Sequence, residues 1–180
     1  YYENYPAGEF LNIGGGEAPT GYVSPESGRR VYTSDVGSKY LPLNIGDPIA
    51  NASMGMAPNE SYWAANSSEM VFHPNCYNIV FLGNENKLYK SEDAGASYSE
   101  WASFGNINDK VQAIEISRKD PSVMYVHINP STGSVGKLYR SNDSGLTWNQ
   151  LTIPAGSSKQ MLLTMNPNDE NELWMAYHNG

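Results

Sequence analysis

Apolar residues along this chain fall in short clusters separated by Pro, Asn, Asp and Gly, with little helical spacing anywhere. Three stretches share one plan, in which an apolar run, a Pro/Asn turn and a second apolar run follow each other: Glu69 to Leu82, Ala113 to Val126, and Leu162 to Tyr177. Runs of this length bounded by turn residues predict antiparallel strand pairs. Downstream of the first two lie near copies, Leu88-Tyr-Lys-Ser-Glu-Asp-Ala-Gly-Ala-Ser-Tyr98 and Leu138-Tyr-Arg-Ser-Asn-Asp-Ser-Gly-Leu-Thr-Trp148, so Ser91 and Ser141 recur at a period of 50 residues. A period of that size predicts a repeat architecture, each unit burying a face on its neighbour.

The duplicated segment has a direct physical reading. Leu88-Tyr89-Lys90 and Leu138-Tyr139-Arg140 alternate as half-buried strands do. Ser91 and Asp93, like Ser141 and Asp143, can accept backbone N–H groups inside the turn that follows. Gly95 and Gly145 supply a positive φ, and Tyr98 and Trp148 open the next strand with a large apolar body to bury. These aspartates are therefore expected to staple turns and touch no substrate. The motif resembles the Asp-box of sialidases, sortilin-type receptors and several polysaccharide hydrolases. That resemblance implies a β-propeller, with the box joining the third and fourth strands of each blade.

Four strands per 50 residues fit a propeller blade. The fold expected is all-β, a β-propeller of four-stranded antiparallel blades. A Greek-key sandwich is the alternative, but it leaves the near-exact repeat unexplained. The blades fall at about 18–45, 68–105 and 111–152, with an incomplete one at 160–180. A propeller closes with about four to eight blades. The chain therefore reads as a piece of a longer protein or of an assembly, whose remainder, in the same protein or another chain, is its first expected partner; the lack of an initiating Met agrees.

Composition narrows the classes of function. Seventeen Gly, 11 Pro and 13 Tyr suit a turn-rich β chain. A net charge of −8 argues against nucleic acid and anionic membranes as partners, and no apolar run approaches the length of about 18 residues that would span a bilayer. Cys76 is the single cysteine, so no internal disulfide is expected. His73, His127 and His178 fall in separate repeats without ligand spacing, so neither metal nor cofactor is expected; His73 reads as a turn histidine. Possible N-glycosylation sites at Asn51, Asn59 and Asn66 cluster in one polar stretch.

The first forty residues narrow the family. Asn12-Ile-Gly-Gly-Gly16, Thr20-Gly21, Arg30-Val-Tyr-Thr-Ser-Asp-Val-Gly37 and Tyr40 resemble the opening of the xyloglucanases of glycoside hydrolase family 74. The resemblance implies an inverting endo-β-1,4-glucanase, a polysaccharide or oligosaccharide as partner, secretion or display at a bacterial cell surface, and Asp35 as the catalytic general base. It also places the general acid far downstream, in a second propeller outside this chain. The sequence departs from the family where Asp35-Val-Gly-Ser-Lys-Tyr-Leu-Pro-Leu43 lacks a second Gly and a nearby Trp, and the hairpin Val23 to Arg30 is short.

Strand counting bears on Asp35 independently. Tyr32 to Gly37 could be a third Asp-box that has lost a residue. Only one strand (Thr20 to Ser24) precedes it in its repeat, however, so Val31–Ser34 is expected as the second strand and Asp35 in the turn to the third. Such turns lie at the end of a meander opposite the Asp-boxes. The polar connection 44–68 is expected at that same end, and loops of such length are commonly functional. Its adjacent Tyr62 and Trp63 suit stacking on sugar rings, while Asn84, Glu85 and Asn129 occupy equivalent loops and are further candidates for binding substrate. A non-catalytic glycan- or protein-binding propeller and an adhesive repeat are the competing readings. A sialidase is disfavoured because no arginine cluster is evident.

Overall fold

The computed structural model describes residues 11–13, 20–26, 28–58, 67–154 and 161–177, and every regular element there is a strand. The first sheet comprises β1 (Gly21–Val23), β2 (Arg30–Thr33), β3 (Gly37–Tyr40) and β4 (Ala50–Ala52). The second comprises β5 (Ser67–His73), β6 (Cys76–Asn84), β7 (Lys87–Ser91) and β8 (Ser99–Ser103). The third holds β9 (Lys110–Ile116), β10 (Met124–Asn129), β11 (Lys137–Ser141) and β12 (Asn149–Leu151), and β13 (Met161–Met165) pairs with β14 (Leu173–Tyr177). Each sheet is a meander, its strands pairing antiparallel in chain order.

The stretch 44–68 is not a single connection, because β4 lies within it as the fourth strand of the first sheet, past residue 45. Ala50-Asn51-Ala52 carries no large apolar side chain. It is held to β3 by backbone pairing (Ser38 to Ala52, Tyr40 to Ala50), so no hydrophobic alternation betrays it.

The sheets stack face against face, and three apolar clusters fill the seams. Tyr32, Met70, Val80 and Leu82 join the first sheet to the second. Phe81, Leu88, Val111, Ile114, Met124 and Val126 join the second to the third. Val123, Tyr125, Leu138 and Met165 join the third to the β13–β14 pair. Successive residues of β6 and β10 thus enter opposite seams, which is why both strands read as continuous apolar runs. The first strands β5, β9 and β13 lie beside one another across the sheet boundaries. Gly83 permits a close approach of β6 to β9, since a Cβ there would meet Val111 Cγ1 at 2.3 Å.

The duplicated turns form as their chemistry predicts. Ser91 Oγ accepts the N–H of Gly95 at 2.7 Å and donates to Asp93 Oδ1 at 2.7 Å, while the Ser97 N–H donates to Asp93 Oδ1 at 2.8 Å. Ser141, Asp143, Gly145 and Thr147 repeat these bonds at 2.8, 2.7 and 2.8 Å. Ser97 and Thr147 donors hold the Asp93 and Asp143 carboxyls down at about 2. Gly95 and Gly145 have φ of 81° and 86°, and Ala94 and Ser144 share the left-handed region. Each turn also docks on the sheet before it: Tyr32 Oη donates to the Ala94 carbonyl at 2.8 Å, and Trp101 Nε1 donates to the Ser144 carbonyl at 3.2 Å. Ser141 is fully buried. Ser141→Ala strands the buried Gly145 N–H and is expected to cost about 1–3 kcal/mol, read as a lowered denaturation midpoint at unchanged slope.

Candidate active site

The meanders have two rims. At one, the duplicated turns bond beside the connections between first and second strands, Ala94 N–H to the Asn78 carbonyl near the start of β6 (2.8 Å) and Ser144 N–H to the Ser122 carbonyl in the β9–β10 turn (2.9 Å). The opposite rim carries the turns between second and third strands and the connections from sheet to sheet. Val111 N–H to the Glu85 carbonyl (2.7 Å) and Phe104 N–H to the Asn86 carbonyl (2.9 Å) tie these together.

Asp35 occupies the β2–β3 turn, on the second rim. Its neighbours build the turn: Thr33 Oγ1 accepts from Val36 N–H at 3.2 Å and donates to the Gly37 carbonyl at 3.1 Å, and Ser34 Oγ accepts from Thr20 N–H at 3.1 Å. Gly37 has φ of 74°. The Asp35 carboxylate is exposed, and among the described residues it makes no hydrogen bond or ion pair. This differs from Asp93 and Asp143, whose carboxylates are consumed by their own turns. The alternative of a shortened third copy of the duplicated turn therefore fails, because Thr33 does the capping.

Asn84, Glu85 and Asn129 lie on the same rim, at the β6–β7 turn and the end of β10. Glu85 is exposed with a left-handed φ of 51°. Asn86 turns inward, its Nδ2 donating to the Phe104 carbonyl at 3.0 Å. Tyr62 and Trp63 lie outside the described residues. Sequence reasoning missed Asp109, which is fully buried and bridges two rim loops. Burial alone would raise its pKa, but donors from Ser131, Asn106 and Lys137 hold it below the usual carboxylate range.

A second concave feature follows the first strands, where a cavity of about 590 Å³ is lined by Glu69, Phe72, Tyr77, Glu115 and Arg118 among others. The apolar alternation Ala113-Ile-Glu-Ile116 contained the signal, a charge where an apolar residue was due. Burial first, then the Glu69 charge, raises the Glu115 carboxyl to about 7, against a smaller opposing effect of Arg118. Its folded pKa lies above the unfolded one, so the folded state is favoured below the unfolded pKa of about 4.5 and loses that advantage as pH rises to about 7. His127 has the opposite sign. It is fully buried without a hydrogen-bond partner among the described residues, and burial lowers its pKa to about 4, so it adds stability as pH rises from about 4 to 6.5. Glu115→Gln should remove the falling limb and leave stability rising from about pH 4 to 6.5, as denaturation midpoints across pH would record. His73 is the expected turn residue, its Nδ1 accepting the Asn75 N–H at 3.2 Å.

No family model matches the sequence. A xyloglucanase from Paenibacillus sp is 26% identical over 159 residues, which is 78% of this chain and 14% of that protein. An ancestral GH74 enzyme superposes with a TM-score of 0.64 at 15% identity, covering 92% of this chain and 22% of its own. The Niastella koreensis GH74 enzyme gives 0.57 at 21% identity over 84% of this chain and 23% of its own. The sheets are β-propeller blades. This chain spans about a seventh of the length of the Paenibacillus relative.

Proposed function

We propose that this chain is the N-terminal part of a secreted bacterial glycoside hydrolase that cleaves xyloglucan-type β-1,4-glucans with inversion, and that Asp35 is its general base. The observation that carries the reading is the position of Asp35, an exposed carboxylate unused by its own turn on the rim away from the duplicated hairpins. The similarity to a xyloglucanase supports the substrate class. The duplicated hairpins are Asp-boxes in this reading, structural and remote from the glycan, while Asn84, Glu85, Asn129, Tyr62 and Trp63 contact it.

A water held by Asp35 attacks the anomeric carbon on the face opposite the leaving group and gives its proton to the carboxylate. The glycosidic C–O bond breaks, and its oxygen takes a proton from a carboxylic acid supplied by the remainder of the protein. Inverting pairs stand about 6.5–9.5 Å apart to admit that water, and the family resemblance places the acid outside this chain, facing the rim of Asp35. The test is Asp35→Asn in the full-length protein, with β-glucan cleavage and binding followed separately. Lost cleavage with binding retained supports the assignment, and near-normal turnover refutes it.

A further inference from the structure

We propose that Asp109 is a positioning residue for glycan binding, holding the connection between the second and third blades as the rigid wall of a depression that seats one neutral sugar unit. The inference rests on the proposed function, whose active rim it extends.

Asp109 is fully buried, whereas Gly105 to Asn108 just before it are exposed. Its Oδ1 accepts the Ser131 N–H and hydroxyl, both at 2.9 Å, and its Oδ2 accepts the Asn106 N–H at 3.1 Å and Lys137 Nζ at 2.9 Å. One carboxylate thus ties the 104–109 connection to the loop after β10 and to the start of β11. Gly105 is required for this, because its φ is 56° and a Cβ there would lie 2.2 Å from Asp109 Oδ2. The other side of the connection is fixed to the β6–β7 turn by the reciprocal bonds of Asn86 and Phe104 and by Val111 N–H to the Glu85 carbonyl.

Ile107 is 76% exposed at the tip of an immobilised loop. Beside it, Glu85, Asn108 and Lys110 surround a depression of about 230 Å³, room for a single pyranose ring. A fixed aliphatic face next to a carboxylate, an amide and an ammonium group matches a sugar, which offers C–H surface and hydroxyls that both donate and accept. Ordering such a wall in advance removes the entropy that a free loop would lose on binding.

The experiment compares Asp109→Asn, Asn108→Ala and Lys110→Met in the full-length protein, measuring kcat and KM on xyloglucan, oligosaccharide binding by calorimetry, and denaturation midpoints. Asp109→Asn is expected to raise KM about tenfold with kcat within about twofold, the pattern of lost uniform binding. The two wall variants, whose side chains hold no part of the network, are expected to raise KM severalfold at unchanged midpoint. Ser141→Ala at the far rim serves as the stability control, with a lowered midpoint and unaltered KM. Unchanged KM in both wall variants overturns the inference, even where Asp109→Asn fails to fold. Unmodified protein that neither binds nor cleaves β-glucan overturns the proposed function and this inference with it, whereas normal turnover with insensitive wall variants overturns this inference alone.

Discussion

Asp35→Asn in the full-length protein is expected to lower kcat on xyloglucan about 10²–10⁴-fold, the usual contribution of a positioned proton acceptor, while KM and folding stay close to normal. The neutral amide keeps the shape of the carboxylate but cannot take the proton of the attacking water. Folding should be indifferent because Thr33 and Ser34, not Asp35, bond the turn. That separation makes the variant informative. The equivalent change at Asp143, which accepts Thr147 N–H and the Ser141 hydroxyl, should act on stability instead, with catalysis intact in the molecules that remain folded.

The largest effect on stability is expected from Phe81→Ala. Phe81 is 3% exposed and enters the seam between the second and third blades, packed with Leu88, Val111, Ile114 and Val126. Removing it deletes an aromatic ring and leaves a cavity that two backbone-paired sheets cannot easily collapse, at a cost of about 3–5 kcal/mol. Natural domains are stable by about 5–15 kcal/mol, so a large share of the margin would go. Leu146, 70% exposed in the β11–β12 turn, should tolerate Ala with a change of about 0.5 kcal/mol or less. Equal losses at the two positions, by equilibrium denaturation, would contradict the seam-based account of stability.

The contrast between what the sequence revealed and what it hid is one of range. Ser91, Asp93, Gly95 and Ser97 satisfy one another within seven residues, so their bonds follow from local chemistry, and the repeat at Ser141 makes the pattern plain. The β5–β6 and β9–β10 hairpins were legible because both faces of β6 and β10 are buried. Strand β4 was not, because Ala-Asn-Ala pairs through its backbone and packs almost nothing. Asp109 looks like any loop aspartate, since its decisive partners Ser131 and Lys137 come from the next repeat. Glu115 went unremarked in the sequence, because its raised pKa comes first from burial and then from Glu69 in the preceding blade. For Asp35 the turn follows from counting strands, whereas its freedom from the turn's own hydrogen bonds emerges only from coordinates.

The most direct test is a crystal structure of the full-length Asp35→Asn protein with a xyloglucan oligosaccharide. The glycan is predicted to run across the rim that holds the β2–β3 turn, with a water between the residue-35 side chain and an anomeric carbon. A glycan seated instead over the hairpins at Asp93 and Asp143, or with no anomeric carbon facing residue 35, would contradict the account.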